Sequence, residues 1–252
     1  MAEVKICGIS DADMVKVAAE AGADWVGFVL VSASPRNVLG SGASRFDQIT
    51  DLMLTAATNN VRSVILLADP EPAILRGVGG AVMPDVFQLH GQESPEFVAN
   101  LRASLPSSVE VWKAVGVSSR EELDDAAHRY RAADRLLIDA KPPEGATRTG
   151  GHGAAFDWSI LEGWEASKPW LLAGGLTPHN VAGAIKATGA SAVDVSSGVE
   201  RQRGIKDADL VRTFIAAAKS ADYEGSHEQA KHMGTMARRE GPLRRIWRAL
   251  RR

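Results

Sequence analysis

Cys7 is the only cysteine of the chain, and it stands at the end of the first apolar run, Val4-Lys5-Ile6-Cys7-Gly8. A thiolate is both nucleophile and base, so a lone thiol at a strand end is a candidate catalyst. Without that position it would read as an inert core residue. Two carboxylates sit in comparable places: Asp139 ends Leu136-Leu137-Ile138-Asp139, and Asp194 lies in the last apolar run. A third kind of chemistry is offered by Ala173-Gly174-Gly175-Leu176 and Ser196-Ser197-Gly198-Val199. Glycines let backbone N–H groups approach an anion closely, and helix amino ends favour negative charge.

The elements that must position these groups repeat. After the first run come Trp25 to Val31, Ser63 to Ala68, Val86 to His90, Glu110 to Val117, Arg135 to Ala140, Trp170 to Ala173 and Ala192 to Ser196. Each leads through a polar or glycine-bearing turn into a stretch with helical periodicity. Met14, Val17, Ala18 and Ala21 show it after the cap Ser10-Asp11 and before Gly22. Further helices are expected over Arg45 to Ala57, Pro72 to Gly77, Pro95 to Ser104, Arg120 to Arg131, Pro178 to Thr188 and Ala208 to Ser220. Strand alternating with helix implies an α/β fold with a parallel sheet. Eight such units in about 220 residues fit a (β/α)8 TIM barrel better than an open sheet.

In that fold chemistry gathers at the carboxyl ends of the strands, and a phosphate is often held between the loops after strands seven and eight. Gly174, Gly175, Ser197 and Gly198 occupy those loops, which favours a phosphate ester as ligand. The period of two along a strand turns Lys5 into the lumen one layer below Cys7, with Val4 and Ile6 facing outward. Charges inside a barrel are costly unless paired, so Lys5 and Asp194 are expected to form a buried pair. The tryptophans Trp25, Trp112, Trp158 and Trp170 read as core.

Composition is that of an ordinary globular domain, 45% hydrophobic and 24% charged. A net charge of -2 gives no global attraction to nucleic acid. One cysteine cannot close an internal disulfide, the amino terminus lacks a basic segment followed by a long apolar stretch, and no apolar run reaches the ~18 residues of a membrane span. The expected location is cytoplasmic.

Taken in order, Lys5-Ile6-Cys7-Gly8, Gly27-Phe28-Val29, Ser34-Pro35-Arg36, Gln88-Leu89-His90-Gly91, Leu137-Ile138-Asp139-Ala140, Gly150-Gly151-His152-Gly153 with Phe156-Asp157-Trp158, Ala173-Gly174-Gly175-Leu176 and Val193-Asp194-Val195-Ser196-Ser197-Gly198-Val199-Glu200 resemble the motifs of phosphoribosylanthranilate isomerases. The resemblance implies an Amadori rearrangement of N-(5-phosphoribosyl)anthranilate in tryptophan biosynthesis, without metal or organic cofactor. It makes Asp139 the general acid at the furanose ring oxygen and Cys7 the general base at C2'. It also implies that Arg36 meets the substrate's carboxylate and favours the thiolate, that Asp194 orients the amine or ring hydroxyls, and that Gln88 and His90 line the fourth strand's rim. An acid and a base of these types serve at neutral pH only if the site moves their pKa values toward each other. Simpler readings stand beside these: Arg36 as a surface turn charge, and His90 as the partner of a backbone carbonyl.

Two segments depart from the pattern. The sixth strand is followed by a long loop, Lys141 to Gly153, that can close over a ligand; within it His152 replaces a small residue, and after it Ala154-Ala155 replace a polar or basic pair before Phe156. Residues 1–221 are read as the barrel, and 222–252 as a polar linker with a C-terminal basic extension. In that extension Leu243, Ile246, Trp247 and Leu250 follow helical spacing among arginines. A solvated, frayed terminus is the simpler expectation, with contact to an anionic membrane the alternative. Another sugar-phosphate isomerase or epimerase, or a Schiff-base aldolase using Lys113 or Lys141, remains an alternative function. So does a scaffold acting through its tail, against which intact Cys7, Asp139 and Arg36 argue.

Overall fold

The computed structural model describes residues 1–42, 46–140 and 158–221. The apolar runs form β1 (Glu3–Cys7), β2 (Trp25–Val29), β3 (Arg62–Leu67), β4 (Val86–Leu89), β5 (Glu110–Val117), β6 (Arg135–Ala140), β7 (Trp170–Leu172) and β8 (Ala192–Val195). They pair in chain order as a closed barrel. All neighbours are parallel, and β8 closes on β1 with Lys5 opposite Asp194. This is the (β/α)8 fold.

Alternation along the strands sorts the side chains into two cores. Val4, Ile6, Val26, Phe28, Ile138 and Val193 face outward into the shell of helices. Trp25, Val64, Val86, Trp112, Leu137 and Leu171 fill the lumen, and above them Cys7, Val29 and Leu66 cluster at the carboxyl ends. Both Trp25 and Trp112 are fully buried, edge to face with ring centroids 5.1 Å apart. The floor beneath them is charged: Arg135 reaches Glu3 at 2.9 Å and Glu110 at 3.3 Å, while the Arg62 guanidinium lies 4.0 Å from the Trp25 ring centroid. Closing the amino-terminal end with paired charge leaves the carboxyl-terminal end as the open mouth.

The helices are α1 (Ala12–Glu20), α2 (Asp47–Thr58), α3 (Pro72–Ala81), α4 (Pro95–Ser104), α5 (Arg120–Arg129), α6 (Val181–Thr188) and α7 (Ala208–Ser220). Capping explains several starts: Asp11, Ser94 and Ser119 each accept from a backbone N–H three residues on, and Asp207 accepts from Asp209 and Leu210. Two helix boundaries differ from the sequence reading by three residues or more. Helix α3 runs past Gly77, against which the Phe46 ring packs so closely that a Cβ would not fit. Helix α6 begins at Val181 rather than Pro178, because Asn180 Oδ1 accepts from Thr177 N and holds the preceding residues as a turn.

In the sixth unit the described residues after the strand form a 3-10 turn, Trp158–Leu161. After β8 come a 3-10 turn, Ser197–Val199, and a small antiparallel hairpin, β9 (Glu200–Gln202) and β10 (Ile205–Lys206), which periodicity did not announce. The 141–153 loop, Ala154-Ala155 and the 222–252 extension lie outside the described residues. No helix among the described residues is long and apolar enough to cross a membrane.

Candidate active site

Strand β1 delivers Cys7 to the rim of the lumen, and two glycines shape its surroundings. At Gly27, opposite Cys7 in register, a Cβ would sit 3.1 Å from Cys7 Sγ and 3.2 Å from Lys5 Cε. At Gly8, with φ +79°, a Cβ would collide with Cδ of Arg36, which therefore crosses directly over the end of β1. One layer down, the fully buried Lys5 places Nζ 2.8 Å from Asp194 Oδ1. Burial lowers the Lys5 pKa, but Asp194 and Cys7 outweigh it and the net shift is upward.

Burial pushes the Cys7 thiol up, opposed by Lys5 and Lys206 and reinforced by Asp194. The resting group is thus a thiol with two cations available to stabilise its anion. Arg36 does not have the expected part in this: the cations that bear on the sulfur are the two lysines.

Across the mouth, β6 places Asp139 at the rim with its Oδ2 3.7 Å from His90 Nε2. His90 follows β4, and burial pushes its imidazole down to about 4, Asp194 opposing and Lys5 and Lys113 reinforcing. At neutral pH the ring is uncharged, so its approach to Asp139 is not an ion pair. Beneath it the Gln88 amide nitrogen lies 3.2 Å from Nδ1. This contact ties the Gln88 amide to the imidazole, whose Nε2 is the atom nearer Asp139. Gln88 is 0% exposed. It was expected at the rim; the structure sets it one layer lower, where it orients His90.

Arg36 comes from the β2–α2 connection, and its fork is engaged. Nε donates to Glu200 Oε1 at 2.6 Å and Nη2 to Oε2 at 2.9 Å. Glu200 also accepts from Lys206 Nζ at 2.9 Å and from Gly204 N at 3.0 Å. Burial raises the Glu200 pKa, but Arg36, Lys206 and Gly204 carry it down to about 2. Lys206 further donates to Ser196 O at 2.8 Å, and Ser196 Oγ donates to the Cys7 carbonyl at 3.1 Å. Glu200 appeared in the sequence only as the end of a motif. Lys206 was missed altogether, since a lysine in a two-residue strand carries no periodic signal.

At the other side of the mouth, Gly174 and Gly175 turn the chain after β7 with φ of 83° and 66°, values that favour glycine. A Cβ on Gly198 would strike the Leu176 carbonyl, so the loops after β7 and β8 are in contact there. Asn180 Nδ2 donates to Gly175 O at 3.0 Å and fixes the first loop. The structure thus brings the four residues expected at a phosphate into two touching loops. Lys113, offered as a Schiff-base amine, is elsewhere: its Nζ is buried against Glu93 at 2.9 Å and the Gly91 carbonyl at 2.8 Å, on the outer side of β5. Lys141 lies outside the described residues.

A family model described as N-(5'phosphoribosyl)anthranilate (PRA) isomerase matches residues 4–217. The chain is 53% identical over 222 residues to the N-(5'-phosphoribosyl)anthranilate isomerase of Hyphomonas neptunium, covering 88% of this chain and 99% of that one. It is 48% identical over 218 residues to the Rhodospirillum rubrum isomerase, covering 86% and 97%. Among solved structures, the phosphoribosyl anthranilate isomerase of Thermotoga maritima superposes with a TM-score of 0.75 at 35% identity, covering 87% of this chain and 99% of that one. A phosphoribosyl anthranilate isomerase in complex with reduced 1-(o-carboxyphenylamino)-1-deoxyribulose 5-phosphate gives 0.71 at 33% identity, with the same coverage.

Proposed function

The chain belongs to the N-(5'-phosphoribosyl)anthranilate isomerase family, and from that premise we propose that Cys7 and Asp139 carry its proton transfers, with Arg36 and the loops after β7 and β8 holding the two anionic ends of the substrate. The protein catalyses the isomerase step of tryptophan biosynthesis, the Amadori rearrangement of N-(5'-phosphoribosyl)anthranilate to 1-(2-carboxyphenylamino)-1-deoxyribulose 5-phosphate. Its substrate is a phosphorylated small molecule.

Asp139, as the acid, protonates the furanose ring oxygen while the anthranilate nitrogen's lone pair opens the C1'–O bond to a Schiff base. Cys7, as the base, removes the C2' proton, and the resulting enolamine tautomerises to the ketone. Lys5 stabilises the thiolate that this needs, and Asp194, its partner, orients the amine or a ribose hydroxyl. His90, neutral and with Nε2 3.7 Å from Asp139 Oδ2, lines the rim beside the acid. Arg36 offers the anthranilate carboxylate its Nη1 edge, which no described residue engages. The phosphate is met by backbone N–H groups of Gly174, Gly175, Ser197 and Gly198. A cytoplasmic location is part of this proposal, in keeping with a charged substrate that does not cross membranes unaided.

The observation that carries the reading is the placement of Cys7 and Asp139 at the ends of β1 and β6, each beside a group that bears on its proton: Lys5 for one, His90 for the other. The test follows the loss of fluorescence when freshly made phosphoribosylanthranilate is added. Cys7→Ala and Asp139→Asn should each lower turnover by roughly 10^2 or more, the usual scale for a general base or acid, with much smaller effects on binding. Near-normal turnover in either variant removes that residue from the mechanism.

A further inference from the structure

We propose that Glu200, clamped by Lys206 and Gly204 on the β9–β10 hairpin, is the positioning residue that fixes the Arg36 fork over the end of β1, giving the substrate's aryl carboxylate a single preset partner. The inference rests on the reading of Arg36 given above and goes beyond it.

An arginine on a loop is free to swing, and holding it costs side-chain entropy if the ligand must do so. Glu200 supplies that ordering from within the protein. Nε and Nη2 are both spent on Glu200, an arrangement that fixes the guanidinium plane as a single bond would not. The Glu200 side chain is itself only 5% exposed and the Lys206 side chain 2%, so neither is a mobile surface charge. The hairpin and the Arg36 loop also interlock through the backbone. Gly204 has φ +84°, and a Cβ there would sit 2.7 Å from the Pro35 carbonyl. Arg36 is thus pinned from beneath by Gly8 and from the side by Glu200.

The charges of Arg36, Glu200 and Lys206 sum to one positive. A bare arginine and lysine would present two, and attract a carboxylate in any of several poses. Pairing the inner edge of the fork leaves one charge and one free edge, which matches one carboxylate. The same lysine reaches the carbonyl of Cys7 through Ser196, so the hairpin braces the carboxylate partner and the base strand together.

Two opposing signs make this testable. If Glu200 only damped the positive field, Glu200→Gln would tighten carboxylate binding; if it positions the fork, the same change weakens it. The probes are reduced 1-(o-carboxyphenylamino)-1-deoxyribulose 5-phosphate and its 1-phenylamino counterpart without the carboxyl group, and the readout is the Kd of the carboxyl-free probe divided by the Kd of the carboxylate probe. In Glu200→Gln this ratio should fall by about tenfold, the scale of one charge-assisted hydrogen bond, while the carboxyl-free probe binds within about twofold of wild type. Glu200→Asp, which keeps the charge but shortens the reach, should move the ratio the same way. In an Arg36→Met background Glu200→Gln should change the ratio no further. An unchanged or raised ratio in the Glu200 variants, with Arg36→Met collapsing it, overturns the positioning role alone. A ratio that survives Arg36→Met overturns the reading of Arg36 itself.

Discussion

Lys5 and Asp194, 189 positions apart in sequence, meet as register partners of β1 and β8 with Nζ 2.8 Å from Oδ1, in a layer one step below Cys7. The pair closes the barrel seam and sets the field at the base. A buried ammonium satisfied by one carboxylate oxygen still acts on the sulfur above it, and the carboxylate acts oppositely. The thiol is therefore shifted upward by burial while both neighbours pull on its anion in different directions.

Because the chain has a single cysteine, its ionisation can be followed by the ultraviolet absorbance of the thiolate, with Cys7→Ala as the blank. The inflection should lie above 9.0, the ordinary value from which burial raises it. Lys5→Met removes a cation and leaves Asp194 uncompensated, and both effects move the inflection further up. An inflection below 9.0 in the wild type, or a downward move in Lys5→Met, contradicts this electrostatic account.

Much of this site could be read before the structure, and the reason is geometric. Cys7, Asp139 and Asp194 are placed by strand ends and a period of two, so marking the strands also marks the rim. The Lys5–Asp194 pair followed from the cost of charge in a lumen. Contacts between elements that no period links were not legible. Arg36 and Glu200 are 164 positions apart, and their pairing depends on how a loop and a two-strand hairpin pack, so the sequence reading of Arg36 as a partner of the substrate's carboxylate did not include Glu200. Gln88 shows a finer limit: its strand and face were clear, but not that His90, two residues on, would cover it.

His90 should leave a signature in the pH dependence of stability. Its pKa is pushed down to about 4 from 6.5, so between these values the unfolded chain binds a proton that the folded protein refuses. The unfolded state then holds more protons, and stability falls as pH drops through this window. Glu200 acts lower, between 4.5 and about 2, with the same sign. Denaturant unfolding at a series of pH values should show a slope between pH 4.5 and 6.5 that flattens in His90→Gln. An unchanged slope in that variant would mean the imidazole is not held neutral.

Lys113 gives a prediction that separates this enzyme from an aldolase on the same barrel. Its ammonium faces Glu93 with both side chains at most 2% exposed, away from the lumen. Borohydride added with a sugar phosphate should trap no adduct on it. Lys113→Met should instead destabilise the fold by ~3 to 5 kcal/mol in denaturant unfolding, the cost of stranding one member of a buried ion pair. A reduced adduct at Lys113, or an unaltered midpoint in the variant, would defeat this assignment.

The division at residue 221 can be tested by cutting there. The family match ends at residue 217, and α7, Ala208–Ser220, packs Val211, Phe214, Ile215 and Ala218 into the shell around β1. The last helix that the barrel needs is therefore complete before residue 222. Every residue assigned a part in the reaction precedes it, and the most distal brace, Lys206, is already anchored to Ser196 and Glu200. Truncation after Ala221 should leave turnover and KM within about threefold of the full chain, as expected when a barrel's site is built only from its strand-end loops. A larger loss with an unchanged unfolding midpoint would show that residues 222–252 reach the mouth and complete the site.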